Sequence, residues 1–136
     1  MTPGYSGTPL IKKLGIKPGF KLAFVHAPED YTLLAELSGD VQHISLDAAA
    51  QNLDFVQAFY QDRMALEHEF PLLKDAIHRS GMIWVSWLKK SSKIPTDIDE
   101  NIVRDIGLSS GLVDVKVAAV TDIWSGLKFV YRTQDR

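Results

Sequence analysis

The stretch Met82–Leu88, MIWVSWL, sets the tightest limit on what this chain folds into. It is apolar at nearly every position, and its two tryptophans, Trp84 and Trp87, are an odd number of residues apart. Successive side chains of a strand point to opposite faces, so one indole is directed to each side. A strand apolar on both faces has to be covered on both, as the inner strands of a parallel sheet are. Leu53–Tyr60, LDFVQAFY, has the same character, with Phe55 and Val56 on opposite faces.

Around these two strands the pattern alternates. Further strands are expected over Lys21–His26, Val41–Leu46, Leu112–Val120 and Leu127–Arg132. A short helix is expected over Pro9–Leu14, stopped by Gly15, and a second from Pro28 to Leu37, closed by Gly39. Asp62–Arg79 has Leu66, Phe70, Leu73 and Ile77 at helical spacing, with Pro71 interrupting and Gly81 as the stop. A last helix opens at Thr96, with Asp99 in a capping-box arrangement, and ends at Gly107. The turn TDIWSG is short enough to force an antiparallel pair. Between strands two and three, LDAAAQN is too short for a crossover helix, so either strand two is short or a bare loop makes the connection. The expectation is one α/β domain over residues 1–136, with 1–15 an N-terminal arm and short helix. Its architecture is a three-layer, Rossmann-like sandwich around a mostly parallel sheet of about six strands, closed by a C-terminal antiparallel hairpin.

Composition narrows the function classes. Fifteen basic and 17 acidic residues give a net charge of −2, so no global field grips nucleic acid. There is no cysteine, which excludes disulfides, thiolate metal sites and cysteine nucleophiles. No histidine pair has the spacing of a metal site. MTPGYSGTPLIKK lacks the charged start and long apolar core of a signal peptide, and no apolar run reaches the roughly 20 residues that span a membrane. The expected setting is cytoplasmic.

Three segments carry a resemblance. LGIKPGFKLAFV resembles the lead-in to strand one of class I S-adenosylmethionine-dependent methyltransferases. HRSGMIWVSW resembles the late Gly-containing turn and strand of that fold, and GLVDVKVAAVTDIWSGLKFVYR its terminal hairpin. One helix and one strand of that fold are absent around Asp47–Asn52. The frame GYSGTPL, KLGIKPG, WVSW and WSGLK is also similar to a family of small uncharacterised bacterial proteins. The methyltransferase resemblance implies a Gly-rich cofactor turn after strand one and an acidic residue at the end of strand two for the ribose hydroxyls. Asp47 stands in the acid's place. VHAPEDY replaces the glycine turn, with a proline that lacks a donor and two carboxylates. On that ground no cofactor is expected, and S-adenosylmethionine is disfavoured.

Ligands of open parallel sheets gather at the carboxyl ends of the strands. The residues expected there are His26, Glu29, Asp47, Lys89, Lys90, Ser91, Trp124 and Ser125. His26 beside Glu29 reads either as a general base oriented by that carboxylate or as a histidine bonding a strand-end backbone group. Lys89, Lys90, Ser91, Ser92 and Lys93 are the only local basic cluster: an anion site or a solvated loop. Trp124 either covers a pocket or plugs the end of the sandwich. Glu67, His68 and Glu69 are consecutive on a helix and share no face. The leading expectation is a non-catalytic protein binding a small anion or a protein partner at this rim. The alternative is a transferase with a reduced S-adenosylmethionine site.

Overall fold

The computed structural model describes residues 9–31, 33–37, 39, 41–47 and 49–136. Residues 1–8 of the expected arm lie outside them. The helices are α1 (Leu10–Leu14), α2 (Leu33–Glu36), α3 (Arg63–Ala76) and α4 (Glu100–Ser109). The strands are β1 (Lys21–Val25), β2 (Gln42–His43), β3 (Leu53–Phe59), β4 (Ile77–Leu88), β5 (Leu112–Ala119) and β6 (Trp124–Tyr131). They form one six-stranded sheet in the order β2-β1-β3-β4-β6-β5. The β2-β1-β3-β4 part is parallel, and β6 runs antiparallel to both β4 and β5. Rossmann-like architecture and the terminal hairpin are both as the sequence implies.

The two-sided apolar strands have the expected consequence. On one face Val56, Ala58, Val85, Trp87 and Phe129 pack against Leu66, Phe70 and Leu73 of α3 and Val103 of α4. On the other, Leu22, Phe55, Phe59 and Trp84 pack against Leu14 of α1, Tyr31 and Leu33. Trp84 is fully buried, and its Nε1–H donates to the Leu14 carbonyl at 2.9 Å. Gly15 follows in the left-handed region with φ 85°, where it caps α1 through the Ile11 and Lys12 carbonyls.

Several boundaries differ from the sequence reading. Strand two shrinks to Gln42–His43, and the connection to β3 is a bare loop whose Ile44, Leu46 and Ala50 lean on the α3 face. Pro28–Tyr31 is a turn closed by the Tyr31 N–H to the Pro28 carbonyl at 3.0 Å, so α2 starts only at Leu33. α3 runs through Pro71 and ends at Ala76, and Ile77 already belongs to β4. A spacing of four, three and four carried Ile77 into the helix, because a short apolar pattern serves either period. Gly81 is therefore no helix stop. It lies in β4, where an added Cβ would stand 2.8 Å from the Leu53 carbonyl oxygen. Gly107 does not end α4 either: the helix continues to Ser109, and a Cβ at Gly107 would meet the Phe129 ring. The cap of α4 is Asp99, accepting from the Ile102 N–H at 2.9 Å, whereas Thr96 donates to the Gln61 carbonyl.

Trp84→Ala is expected to destabilise the fold by about 3–5 kcal/mol, since it empties a core position and orphans the Leu14 carbonyl. Denaturant unfolding checks it; a loss below about 1 kcal/mol contradicts the packing.

Candidate functional site

Parallel strands β1, β3 and β4 all end on one rim, and the antiparallel β6 starts there. β1 and β3 are neighbours whose chains leave toward opposite sides of the sheet, which makes their carboxyl ends the switch-point crevice where ligands of such sheets bind.

At this crevice β1 is followed by His26, one residue past the strand and a non-glycine residue with φ 57°. That left-handed conformation is uncommon outside glycine, asparagine, aspartate and histidine. Here the side chain is tied down: His26 Nε2 lies 2.9 Å from Glu69 Oε1. The Tyr60 hydroxyl, at the end of β3, donates to the same oxygen at 2.8 Å. The His26 and Tyr60 rings meet edge-on with centroids 5.5 Å apart. The carboxylate that meets His26 is thus Glu69 of α3, not Glu29. Glu69 stands three residues after the buried Leu66 and one before the buried Phe70, so it lies on the flank of the inward face. In sequence Glu69 is adjacent to His68 and shares no face with it; the spacing from Leu66 is the signal that marks it. Glu29 and Asp30 are exposed. Burial first, then the bond to Glu69, pushes the Tyr60 hydroxyl well above its ordinary pKa near 10. On the opposite face, burial likewise raises Tyr31, whose hydroxyl donates to Gln57 Oε1 at 2.6 Å.

Toward β2, Asp47 lies in the loop beyond that strand. It is exposed, and its Oδ1 accepts the Ala49 N–H at 2.8 Å.

Beyond β3, a cleft of about 720 Å³ opens between the end of β4 and the start of α4. Trp87, Lys89, Lys90 and Ser125 line one side and Asp97, Asp99 and Glu100 the other. The three carboxylates are committed: Asp97 to the Arg63 N–H at 2.7 Å, Asp99 to its helix cap, and Glu100 to Arg104 at 2.7 Å. Lys89 and Lys90 have no ion-pair partner among the described residues. Ser91 lies outside this cleft, exposed in a 3₁₀ turn, Lys90–Ser92. Trp124 is not in the turn but opens β6, opposite Leu88, and its ring stacks edge-on against Phe59 at 5.2 Å. That is the other face of the sheet, so Trp124 plugs the sandwich and the cleft's indole is Trp87. Among the described residues no cluster of three or more His, Asp or Glu could hold a metal, and no helix is long and apolar enough to cross a membrane.

No family model matches the chain, and no curated protein matches it in sequence. Its fold is that of class I S-adenosylmethionine-dependent methyltransferases. A candidate type 11 methyltransferase from Sulfolobus solfataricus superposes with a TM-score of 0.64 at 16% identity, over 91% of this chain and 90% of that one. A candidate methyltransferase from Haloferax volcanii, solved in complex with the Trm112 methyltransferase activator, gives 0.62 at 10% identity over 89% and 86%. Magnesium protoporphyrin IX methyltransferase from Synechocystis, with bound S-adenosylmethionine, gives 0.60 at 10% identity over 90% and 74%.

These neighbours overturn the expectation of no cofactor. The sequence case rested on the missing glycines and the two acids of VHAPEDY. In the structure His26 itself adopts a left-handed turn, and Glu29 and Asp30 are exposed, where water screens their charge.

The raised tyrosines carry a pH consequence. Folding holds both protons more tightly than the unfolded chain does, so their stabilisation is complete below about pH 10 and declines above it. The decline is about 1.4 kcal/mol per pH unit for each tyrosine. Urea unfolding between pH 9 and 11 is expected to show a shallower fall for Tyr60→Phe than for wild type; equal slopes contradict the assignment.

Proposed function

We propose that the chain is a reduced S-adenosylmethionine-dependent, methyltransferase-like transferase. The observation that carries this reading is the order of groups along one rim of a methyltransferase fold. Asp47 stands beyond β2, the His26 turn and Tyr60 lie at the β1/β3 crevice, and the lysine-lined cleft follows at β4 and β6.

The residues present fit the cofactor. Asp47 is an exposed carboxylate with one oxygen bonded only to its own loop, and it would accept the ribose hydroxyls. The left-handed backbone at His26 provides the turn that glycine makes elsewhere in this fold. Bound S-adenosylmethionine supplies a methyl group on a positively charged sulfur. Lys89 and Lys90, with Ser125 beside them, would hold an anionic group of the acceptor by charge and hydrogen bonding. Strands β1 and β4 are two spacings apart, about 10 Å, and the lysines follow three to four residues beyond the level of His26, so an acceptor would lie obliquely between crevice and cleft. The Haloferax neighbour's complex with an activator supports a protein partner as part of the same reading.

Calorimetry with S-adenosylhomocysteine is the test. Binding near a micromolar dissociation constant, about −8 kcal/mol, is expected. Asp47→Ala is expected to weaken it about ten- to a hundredfold, the worth of hydrogen bonds to a charged group. No saturable heat from the folded wild type rejects the reading.

The lysines give an independent expectation. Lys89→Ala combined with Lys90→Ala removes phosphate binding followed by Trp87 fluorescence, whereas Lys93→Ala, outside the cleft lining, leaves it unchanged. Each variant should keep its stability within about 0.5 kcal/mol. Equal contributions from all three lysines mean a solvated loop instead.

A further inference from the structure

We propose that His26, held by Glu69 and Tyr60, is the base that accepts the proton of a hydroxyl acceptor at the β1/β3 crevice. The inference rests on the transferase reading and adds to it an acceptor class and a residue for its proton.

The tautomer follows from the bonding. An ionised carboxylate only accepts hydrogen bonds, and Glu69 Oε1 receives both the Tyr60 hydroxyl and His26 Nε2. Nε2 therefore carries a hydrogen, and the neutral ring keeps its lone pair on Nδ1. No hydrogen bond occupies Nδ1 among the described residues, and 54% of the side chain is exposed. The ring cannot turn away freely, because Tyr60 stands edge-on against it. The other charged groups near the turn, Glu29 and Asp30, are exposed on the same loop. This is an oriented imidazole with one free nitrogen at the place where ligands of such a sheet react.

An alkyl or aryl hydroxyl is a poor nucleophile while it keeps its proton, whereas a thiolate needs no base. Bound S-adenosylmethionine would supply the methyl group: the acceptor oxygen would bond that carbon as the carbon–sulfur bond breaks, and the electron pair would leave with sulfur. The hydroxyl proton passes to His26 Nδ1 and from the imidazolium to water. Glu69 and Tyr60 are positioning residues. The Lys89 and Lys90 backbones lie two strand spacings across β3 and three to four residues beyond the level of His26, roughly 14 Å away; their side chains span part of that gap, and the acceptor is a hydroxylated anion that spans the rest.

Carbethoxylation with diethyl pyrocarbonate, mapped by peptide mass spectrometry on the full chain, reads the free nitrogen without any transfer assay. His26 is expected to react faster than the exposed His68, and S-adenosylhomocysteine to slow His26 at least fivefold while leaving His68 alone. 4-Hydroxycinnamate, which carries a hydroxyl and a carboxylate at about the required span, is expected to deepen that protection. Glu69→Gln should lower the His26 rate several-fold, and nitrogen-15 spectra should show the Nε2–H tautomer in wild type. If Glu69→Gln does not fold, Glu69→Asp, which draws the carboxylate back from Nε2, should lower the rate in the same direction. Calorimetric binding of S-adenosylhomocysteine with His26 unprotected overturns this inference alone. Absence of that binding overturns it together with the transferase reading. Protection that 4-hydroxycinnamate does not deepen rejects the hydroxylated anion.

Discussion

Everything else in the structure depends on covering β3 and β4 on both faces. These two central strands are apolar to each side, and neither has a face that water can solvate. One face is closed by α3 and α4 and the other by α1 and the segment around Tyr31 and Leu33. Trp84 joins the layers directly, filling the second core while its indole N–H satisfies the last carbonyl of α1. A helix of five residues has little stability of its own. Here its final turn is fixed by an indole on one side and the left-handed Gly15 on the other.

Close packing on the first face then decides where the rim groups lie. With no Cβ at Gly107, α4 presses against Phe129. Its start, capped by Asp99, is thereby drawn beside the end of β4, which creates the cleft under Lys89 and Lys90. At the same time Asp97 receives the first N–H of α3, so the two helix starts are tied to each other. The acids of the cleft are thus spent on holding the scaffold, and the lysines are left to face a ligand.

Much of this was legible in the sequence, for a definite reason. Strand identity in β3 and β4 follows from apolar residues on both parities, and the antiparallel β5–β6 pair follows from loop length. Both are local signals. Glycines misled where their role was packing: Gly81 and Gly107 read as helix stops, because sequence does not distinguish a glycine that ends a helix from one that admits a carbonyl or a ring. Trp124 and Ser125 both lie at the rim, yet a one-residue difference sends them to opposite faces. Their separation depends on where β6 begins, which the turn residues did not fix. Glu69 was missed since its partner, His26, is 43 residues away and nothing local announces the contact.

The loop after β1 shows how such a chain does without glycine. Glycine turns succeed by having no side chain to place; this loop places its side chains and anchors them. His26 is fixed from the α3 face by Glu69, and Tyr31 from the other face by Gln57. Between them, the Pro28–Tyr31 turn closes with its own backbone bond. Gln57 is itself wholly buried in β3, and its amide nitrogen has no partner among the described residues. An unpaired buried amide costs free energy that an apolar residue there would not, so the polar side chain is explained by what it holds. A loop anchored on both faces of a sheet has few conformations to lose when a ligand binds, and that preorganisation offsets the missing flexibility. The strained backbone at His26 persists because the contacts around it over-determine it, and the same contacts orient its ring at the crevice.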